Sequence, residues 1–169
     1  NRLVTDSISN YFFTTSKIAN KNLLNCGIDE KRIFFVGNTM IDTLLKHKAN
    51  FKKPLIYDEK KLGSSEFAML TLHRPSNVDN HSNLQAIIES IIDNMNGFPI
   101  VFPVHPRTKK NLNKLNKKFD LLYCIDPLSY LEFNYLVKHS KVVITDSGGI
   151  TEEATVLDIP CMTIRDNTE

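Results

Sequence analysis

The run Val142-Val143-Ile144-Thr145-Asp146-Ser147-Gly148-Gly149-Ile150-Thr151-Glu152-Glu153 decides the reading of this chain. Residues 141 to 145 are apolar and rich in β-branched side chains, the pattern of a buried strand. Two adjacent glycines follow, where the main chain can be approached closely because no side chain stands in the way. Ile150, Ala154 and Leu157 then recur at i, i+4 and i+7, one face of a helix from about 149 to 157. A strand therefore ends, a Ser-Gly-Gly turn intervenes and a helix begins. The first amides of a helix have no internal acceptor and its dipole favours an anion there, so a phosphate or diphosphate suits this corner. Glu152 and Glu153 would repel a phosphate if they faced it; a ribose diol is a better partner for one of them. An ordinary strand-to-helix connection with a small-residue cap satisfies the same spacing.

Outward from this run, short apolar segments alternate with helical periodicity. Strands are expected at 11–14, 31–36, 67–72, 99–104, 121–124, 141–145 and 160–164. Helices are expected after Ser16, after Gly37-Asn38-Thr39, through Leu84 to Ile92, through Leu112, Leu115 and Phe119, and from Asp126-Pro127 onward. Residues 46–60 read as a loop with at most one helical turn, and 73–80 as a polar loop. The alternation predicts an α/β fold, a doubly wound parallel sheet of Rossmann-like type with helices on both faces. Parallel strands are covered on both sides, hence their continuous apolar character.

Three polar loops, His73-Arg74, His105-Pro106-Arg107 and Asp146-Ser147-Gly148-Gly149, fall just beyond the C-terminal ends of expected strands. Ligands bind along that edge of open α/β sheets. Two histidines, two arginines and a helix N-terminus on one rim describe a site for a phosphorylated ligand. His105 read alone is better explained as a loop histidine held by backbone bonds.

Composition excludes other classes. The 169 residues are 41% hydrophobic and 24% charged, an ordinary globular balance. The net charge of +2 does not favour nucleic acid. The lysines at 109, 110, 114, 117 and 118 read as a solvated helix face. No apolar run approaches the roughly 20 residues that span a bilayer, so no membrane association is expected. Cys26, Cys124 and Cys161 are far apart and read as buried free thiols, which suits a cytoplasmic location. Neither metal-ligand spacing nor a dinucleotide fingerprint is present, and no cofactor is expected.

The order Gly37-Asn38-Thr39-Met40-Ile41-Asp42, Thr71-Leu72-His73-Arg74, Pro103-Val104-His105-Pro106, Thr145 through Ala154 and Arg165-Asp166-Asn167-Thr168-Glu169 resembles the UDP-N-acetylglucosamine 2-epimerase family. The resemblance spans nearly the whole chain. It implies one half of a two-domain enzyme of the glycosyltransferase-B type, with residues 1–37 ending an N-terminal Rossmann-like domain and 38–169 forming a nucleotide-binding domain. The first part of the N-terminal domain and the Arg-Pro that usually follows the final Thr-Glu are not in this stretch, which reads as a piece of something longer. The resemblance implies elimination of UDP from UDP-N-acetylglucosamine, leaving a 2-acetamidoglucal, and its re-addition with the opposite configuration at C2 to give UDP-N-acetylmannosamine. Ser147, Gly148 and Gly149 would hold the diphosphate, Glu153 the ribose hydroxyls, and Phe133 would lie near the uracil. His73 would act at the sugar–diphosphate end as the catalytic group. Arg74 and His105 complete the UDP-binding set; His105 matches a histidine that helps bind a second, activating UDP-sugar in some bacterial members. The carboxylates that move the C2 proton would belong to the other domain, so this stretch alone would be inactive. Relatives are usually homodimers. Where bacterial members continue His-Arg with Arg-Glu-Asn, this chain has Pro75-Ser76-Asn77, which puts the activating site in doubt. A UDP-sugar-dependent glycosyltransferase and a non-catalytic UDP-sugar-binding protein are the alternatives, as is a hydrolysing epimerase against the preferred non-hydrolysing one.

Overall fold

The computed structural model describes residues 2–64, 66–112, 114 and 119–165. The chain separates into two compact units, Asn1–Lys46 and His47–Glu169. The first holds helix α1 (Arg2–Ile8), strand β1 (Phe12–Thr14), α2 (Lys17–Asn25), β2 (Ile33–Phe35) and most of α3 (Thr39–His47). β1 and β2 pair in parallel through the α2 crossover. Ser16 caps α2 by accepting from the Ala19 amide, and Gly27 leaves the helix at φ +82°, a conformation that favours glycine. α1 was not foreseen, because Arg2–Ile8 lacks a buried face.

The second unit runs α4 (Leu55–Glu59), β3 (Ala68–Thr71), α5 (Pro75–Val78), α6 (His81–Asn94), β4 (Ile100–Pro103), α7 (Pro106–Leu112), β5 (Leu122–Ile125), α8 (Tyr130–His139), β6 (Val142–Thr145), α9 (Gly148–Val156) and β7 (Cys161–Thr163). Its strands form one all-parallel sheet in the order β5-β4-β3-β6-β7. The expected parallel α/β sheet is thus observed. The strand order reverses between β3 and β6, neighbours in the sheet but far apart in the chain, and the crevice at such a reversal is where doubly wound sheets take ligands.

Alternation along the strands sends Ala68, Leu70, Leu72, Ile100, Phe102, Val104 and Ile144 into one core with Leu84, Ile88 and Ile91 of α6. Met69, Val101 and Val143 point the other way and are equally inaccessible, so both faces are covered. On α9, Ala154 and Leu157 are buried as its periodicity requires.

Several local expectations are corrected. Residues 75–78 are not loop: Pro75, with its fixed φ, opens the short α5 at N1, and Asn77 and Val78 are buried. α8 starts at Tyr130 rather than at Asp126-Pro127, because Ser129 and Glu132 form a capping box that fixes its first turn. Residues 46–60, expected as a loop with at most one helical turn, hold a 3-10 turn at Lys48–Asn50 besides the short α4, and a second 3-10 turn, Leu62–Ser64, follows. The basic helix begins at Pro106; Leu115, Lys117 and Lys118 lie outside the described residues, as do Asp166 to Glu169 of the terminal landmark. The cysteines are free but not buried: Cys26 and Cys124 are exposed and Cys161 half-buried. Among the described residues no helix is long and apolar enough to cross a membrane.

Candidate functional site

The β3–β6 pairing sets Thr71 beside Thr145, and their hydroxyls meet at 2.6 Å in a buried contact. Each strand delivers one polar loop from this point. Asp146, the first residue beyond β6, is wholly buried and gathers donors from the loop beyond β3. Its carboxylate accepts from the amides of His73 (3.1 and 3.2 Å) and Arg74 (2.9 Å), from Asn77 Nδ2 (3.0 Å) and from His73 Nδ1 (3.0 Å). Arg74 Nε donates to the Asp146 carbonyl at 2.7 Å. Asn77 Nδ2 also reaches the carbonyl of Ile164, tying the end of β7 to the same hub. A buried carboxylate is tolerated only when charges or donors compensate it, and here they converge from the loop beyond β3 and from Asn77 of α5.

An ionised carboxylate only accepts, so the contact to Asp146 places a proton on Nδ1 of His73. Nε2 is left as the ring atom that can give or take a proton, and the side chain is 46% exposed, so it is open to a ligand. His73 lines a cavity of about 190 Å³ with Leu72, Pro103, His105, Leu128 and Phe133. Its lining is largely apolar and includes the two histidines, which fits a flat ring beside a polar group. His105 Nδ1 accepts the Arg107 amide at 3.3 Å, so this histidine both opens α7 and faces the cavity. Thr108 Oγ1 donates to the Leu72 carbonyl at 2.9 Å and binds α7 to the end of β3.

The two arginines of the rim part company. Arg107 is held by Asp79 in a two-pronged pair at 2.8 and 2.6 Å. That hydrogen-bonded guanidinium holds the Asp79 carboxyl below its usual range. Arg74 faces a second cavity of about 380 Å³, lined also by Ser76, Asn77, Asn83, Ile164 and Arg165.

At α9, Ser147 is the N-cap, its hydroxyl accepting from the Ile150 amide. Its own amide donates to Thr145 Oγ1 at 3.0 Å, and the amides of Gly148 and Gly149, in the first turn of α9, have no acceptor within the helix. A Cβ built on Gly148 would meet Arg165 Nη1 at 3.2 Å. The buried Arg165 Nε has no partner among the described residues. A guanidinium therefore lies against the positive end of a helix, an arrangement that calls for an anion between them.

Glu153, further along α9, is engaged from α8. It is 9% exposed, and Tyr130 Oη donates to its Oε1 at 2.9 Å. Burial pushes its carboxyl above the usual range, against the opposing pull of hydrogen bonds from Tyr130 and Asn134. Glu152, beside it in sequence, is exposed.

The structure therefore brings His73, His105 and Phe133 to one cavity and sets Ser147, Gly148 and Gly149 at the neighbouring helix start. Arg74 reaches that corner through the Asp146 carbonyl, and Glu153 lies within the protein beneath α8. Reading the sequence missed Asp146 as the organising carboxylate, Arg165 beside Gly148 and Tyr130 on Glu153. The first had a signal, an acidic residue between a strand end and an N-cap; the others become visible only when the elements are packed. Among the described residues no cluster of His, Cys, Asp and Glu could hold a metal.

The model of the UDP-N-acetylglucosamine 2-epimerase family matches residues 1–169. The chain belongs to this family. It is 41% identical to the UDP-N-acetylglucosamine 2-epimerase of Methanocaldococcus jannaschii, over all of this chain and 49% of that protein. It is 37% identical to the UDP-2,3-diacetamido-2,3-dideoxy-D-glucuronate 2-epimerase of Pseudomonas aeruginosa, over all of this chain and 47% of that one. The crystal structure of the M. jannaschii enzyme in complex with UDP-GlcNAc and UDP superposes with a TM-score of 0.84 at 42% identity, covering 99% of this chain and 49% of that chain. The chain thus spans about half the length of the relatives it matches. These epimerases have a two-domain fold like that of glycosyltransferase-B enzymes.

Proposed function

We propose that this chain is the UDP-binding half of an enzyme that epimerises UDP-N-acetylglucosamine at C2 without hydrolysing it. Residues 1–37 end the preceding Rossmann-like domain and 38–169 form the nucleotide-binding domain. The observation that carries the reading is the convergence of His73, Asp146 and the open start of α9 at the β3–β6 reversal.

The chemistry follows from these groups. Breaking the anomeric C–O bond leaves an electron pair on the diphosphate. The amides of Gly148 and Gly149, the dipole of α9 and the guanidinium of Arg165 stabilise that charge as it grows. His73 Nε2, its ring oriented through Nδ1 by Asp146, serves the leaving oxygen. Phe133, Leu128 and His105 take the uracil side; the family resemblance supports Glu153, at the contact of α9 with Tyr130 of α8, for the ribose. The C2 proton moves on carboxylates of the other domain, after which UDP adds back to the opposite configuration. The family resemblance also supports a homodimeric, cytoplasmic whole protein.

Two results test the UDP site. Gly148→Val should weaken UDP binding at least about tenfold, since a side chain fills the space where a phosphate meets the main chain. Folding should change little, because the nearest atom is the far end of the flexible Arg165 side chain. Calorimetry with UDP beside a thermal melt reads both; normal affinity in the variant would refute the close approach. Glu153→Ala should cost about 1–3 kcal/mol of UDP affinity, the range for losing a charged acceptor. An unchanged affinity would remove Glu153 from the ribose.

A further inference from the structure

Two threonine hydroxyls at the β3–β6 reversal have no part in the reaction above. Thr71 closes β3 and Thr145 closes β6, and their Oγ1 atoms meet at 2.6 Å. Thr145 is wholly buried and Thr71 nearly so, yet Thr71 borders the cavity that holds His73 and Phe133. Hydroxyls buried at two strand ends cost stability unless each hydrogen finds an acceptor.

The acceptors can be traced. Thr145 Oγ1 accepts from the Ser147 amide at 3.0 Å. A hydroxyl carries one hydrogen, and that of Thr145 has Thr71 Oγ1 as its acceptor among the described residues. The hydrogens therefore run one way, from the Ser147 amide to Thr145 and on to Thr71, whose own hydrogen is left at the border of the cavity. Hydrogen bonds in such a chain reinforce one another. The effect on the backbone is local. Pinning its amide holds Ser147 at φ −93° and ψ 127°, the extended N-cap conformation from which α9 starts at Gly148. The carbonyl of the same threonine accepts from the Ile164 amide at 2.8 Å, next to Arg165. One residue thus fixes the helix start by its side chain and the strand end that carries Arg165 by its main chain.

We propose that Thr145, supported by Thr71, is a positioning residue for the diphosphate: its hydroxyl sets the start of α9 so that the amides of Gly148 and Gly149 meet the phosphates. The inference rests on the UDP-binding reading above and deepens it.

The test compares the affinities of the complete enzyme for UDP and for uridine, with folded content matched by circular dichroism. In the natural sequence UDP should bind at least about a hundredfold more tightly, since the phosphates add charge-assisted hydrogen bonds. Thr145→Val keeps the β-branched shape that suits a strand and removes the hydroxyl. It should weaken UDP binding about tenfold and uridine binding less than about twofold. Thr145→Ser restores the hydroxyl and should return UDP affinity to within about threefold of the natural value. Thr71→Val deprives the Thr145 hydrogen of its acceptor; it should narrow the UDP-to-uridine ratio in the same direction and stands in should the Thr145 variant fold poorly. An unchanged ratio in Thr145→Val, parallel losses for both ligands, or a serine variant as weak as the valine one overturns the positioning role. UDP binding no tighter than uridine in the natural sequence fails earlier and differently: it removes the phosphates from the start of α9 altogether.

Discussion

Replacing His73 by Asn is expected to lower the turnover of the complete enzyme by about 10²-fold or more, the usual contribution of a positioned acid–base group. UDP affinity should fall much less. The split follows from the geometry. The His73 ring is oriented by Asp146 at 3.0 Å on Nδ1, while its amide is anchored separately to the same carboxylate. Asn keeps the backbone anchor and can still donate to Asp146 from its side chain, so the loop holds its shape. It offers no group at the position of Nε2, so only the transition state loses a partner. Single-turnover release of UDP from UDP-N-acetylglucosamine, compared with calorimetric UDP affinity, separates the two quantities. Equal losses in both would make His73 a binding residue only. A variant with natural turnover would move the chemistry elsewhere on the rim.

The separation is informative because the site was only partly legible before the fold was known. Each of the three polar loops follows a strand-like run, and the structure does place each at the C-terminal end of a strand. Hydrophobic alternation carries that much, since strands buried on both faces leave an uninterrupted apolar record. Strand order leaves no such record. That β3 neighbours β6 across more than 70 residues is a property of the whole sheet, and without it His73 and Asp146 cannot be paired. Asn77 shows the same limit. In sequence it is one polar residue of a polar loop, and in the structure it joins the carboxylate of Asp146 to the carbonyl of Ile164. Arg107 erred in the opposite direction: its position in a loop after a strand placed it on the rim, but Asp79 engages it at 2.6 Å. Local pattern locates an edge; partners across that edge are decided by packing.

Asp146 is where packing and chemistry depend on a single side chain, and Asp146→Ala is expected to have the largest effect on stability in the second unit. Truncation leaves the His73 and Arg74 amides and one Asn77 hydrogen without their acceptor, at a position with no access to water. Each unsatisfied buried group costs about 1–3 kcal/mol. Partial relaxation of the loop offsets some of this, so a loss of roughly 3–5 kcal/mol is expected, a large share of the 5–15 kcal/mol that holds a typical domain. Asp146→Asn is the instructive companion. It keeps one acceptor oxygen but turns an NH₂ toward a group of donors, so its loss should be smaller, about 1–3 kcal/mol. In that variant the His73 ring loses its fixed proton position, and turnover should fall although the fold survives. Urea denaturation at constant pH, read at the midpoint with the slope checked for constancy, gives both stabilities. If Asp146→Ala costs less than about 1 kcal/mol, the converging donors find water or other acceptors, and the carboxylate is not what joins the two loops. If Asp146→Asn retains full turnover, ring orientation by Asp146 is not part of catalysis, and the catalytic argument for His73 must rest on its exposure and its place at the sheet edge alone.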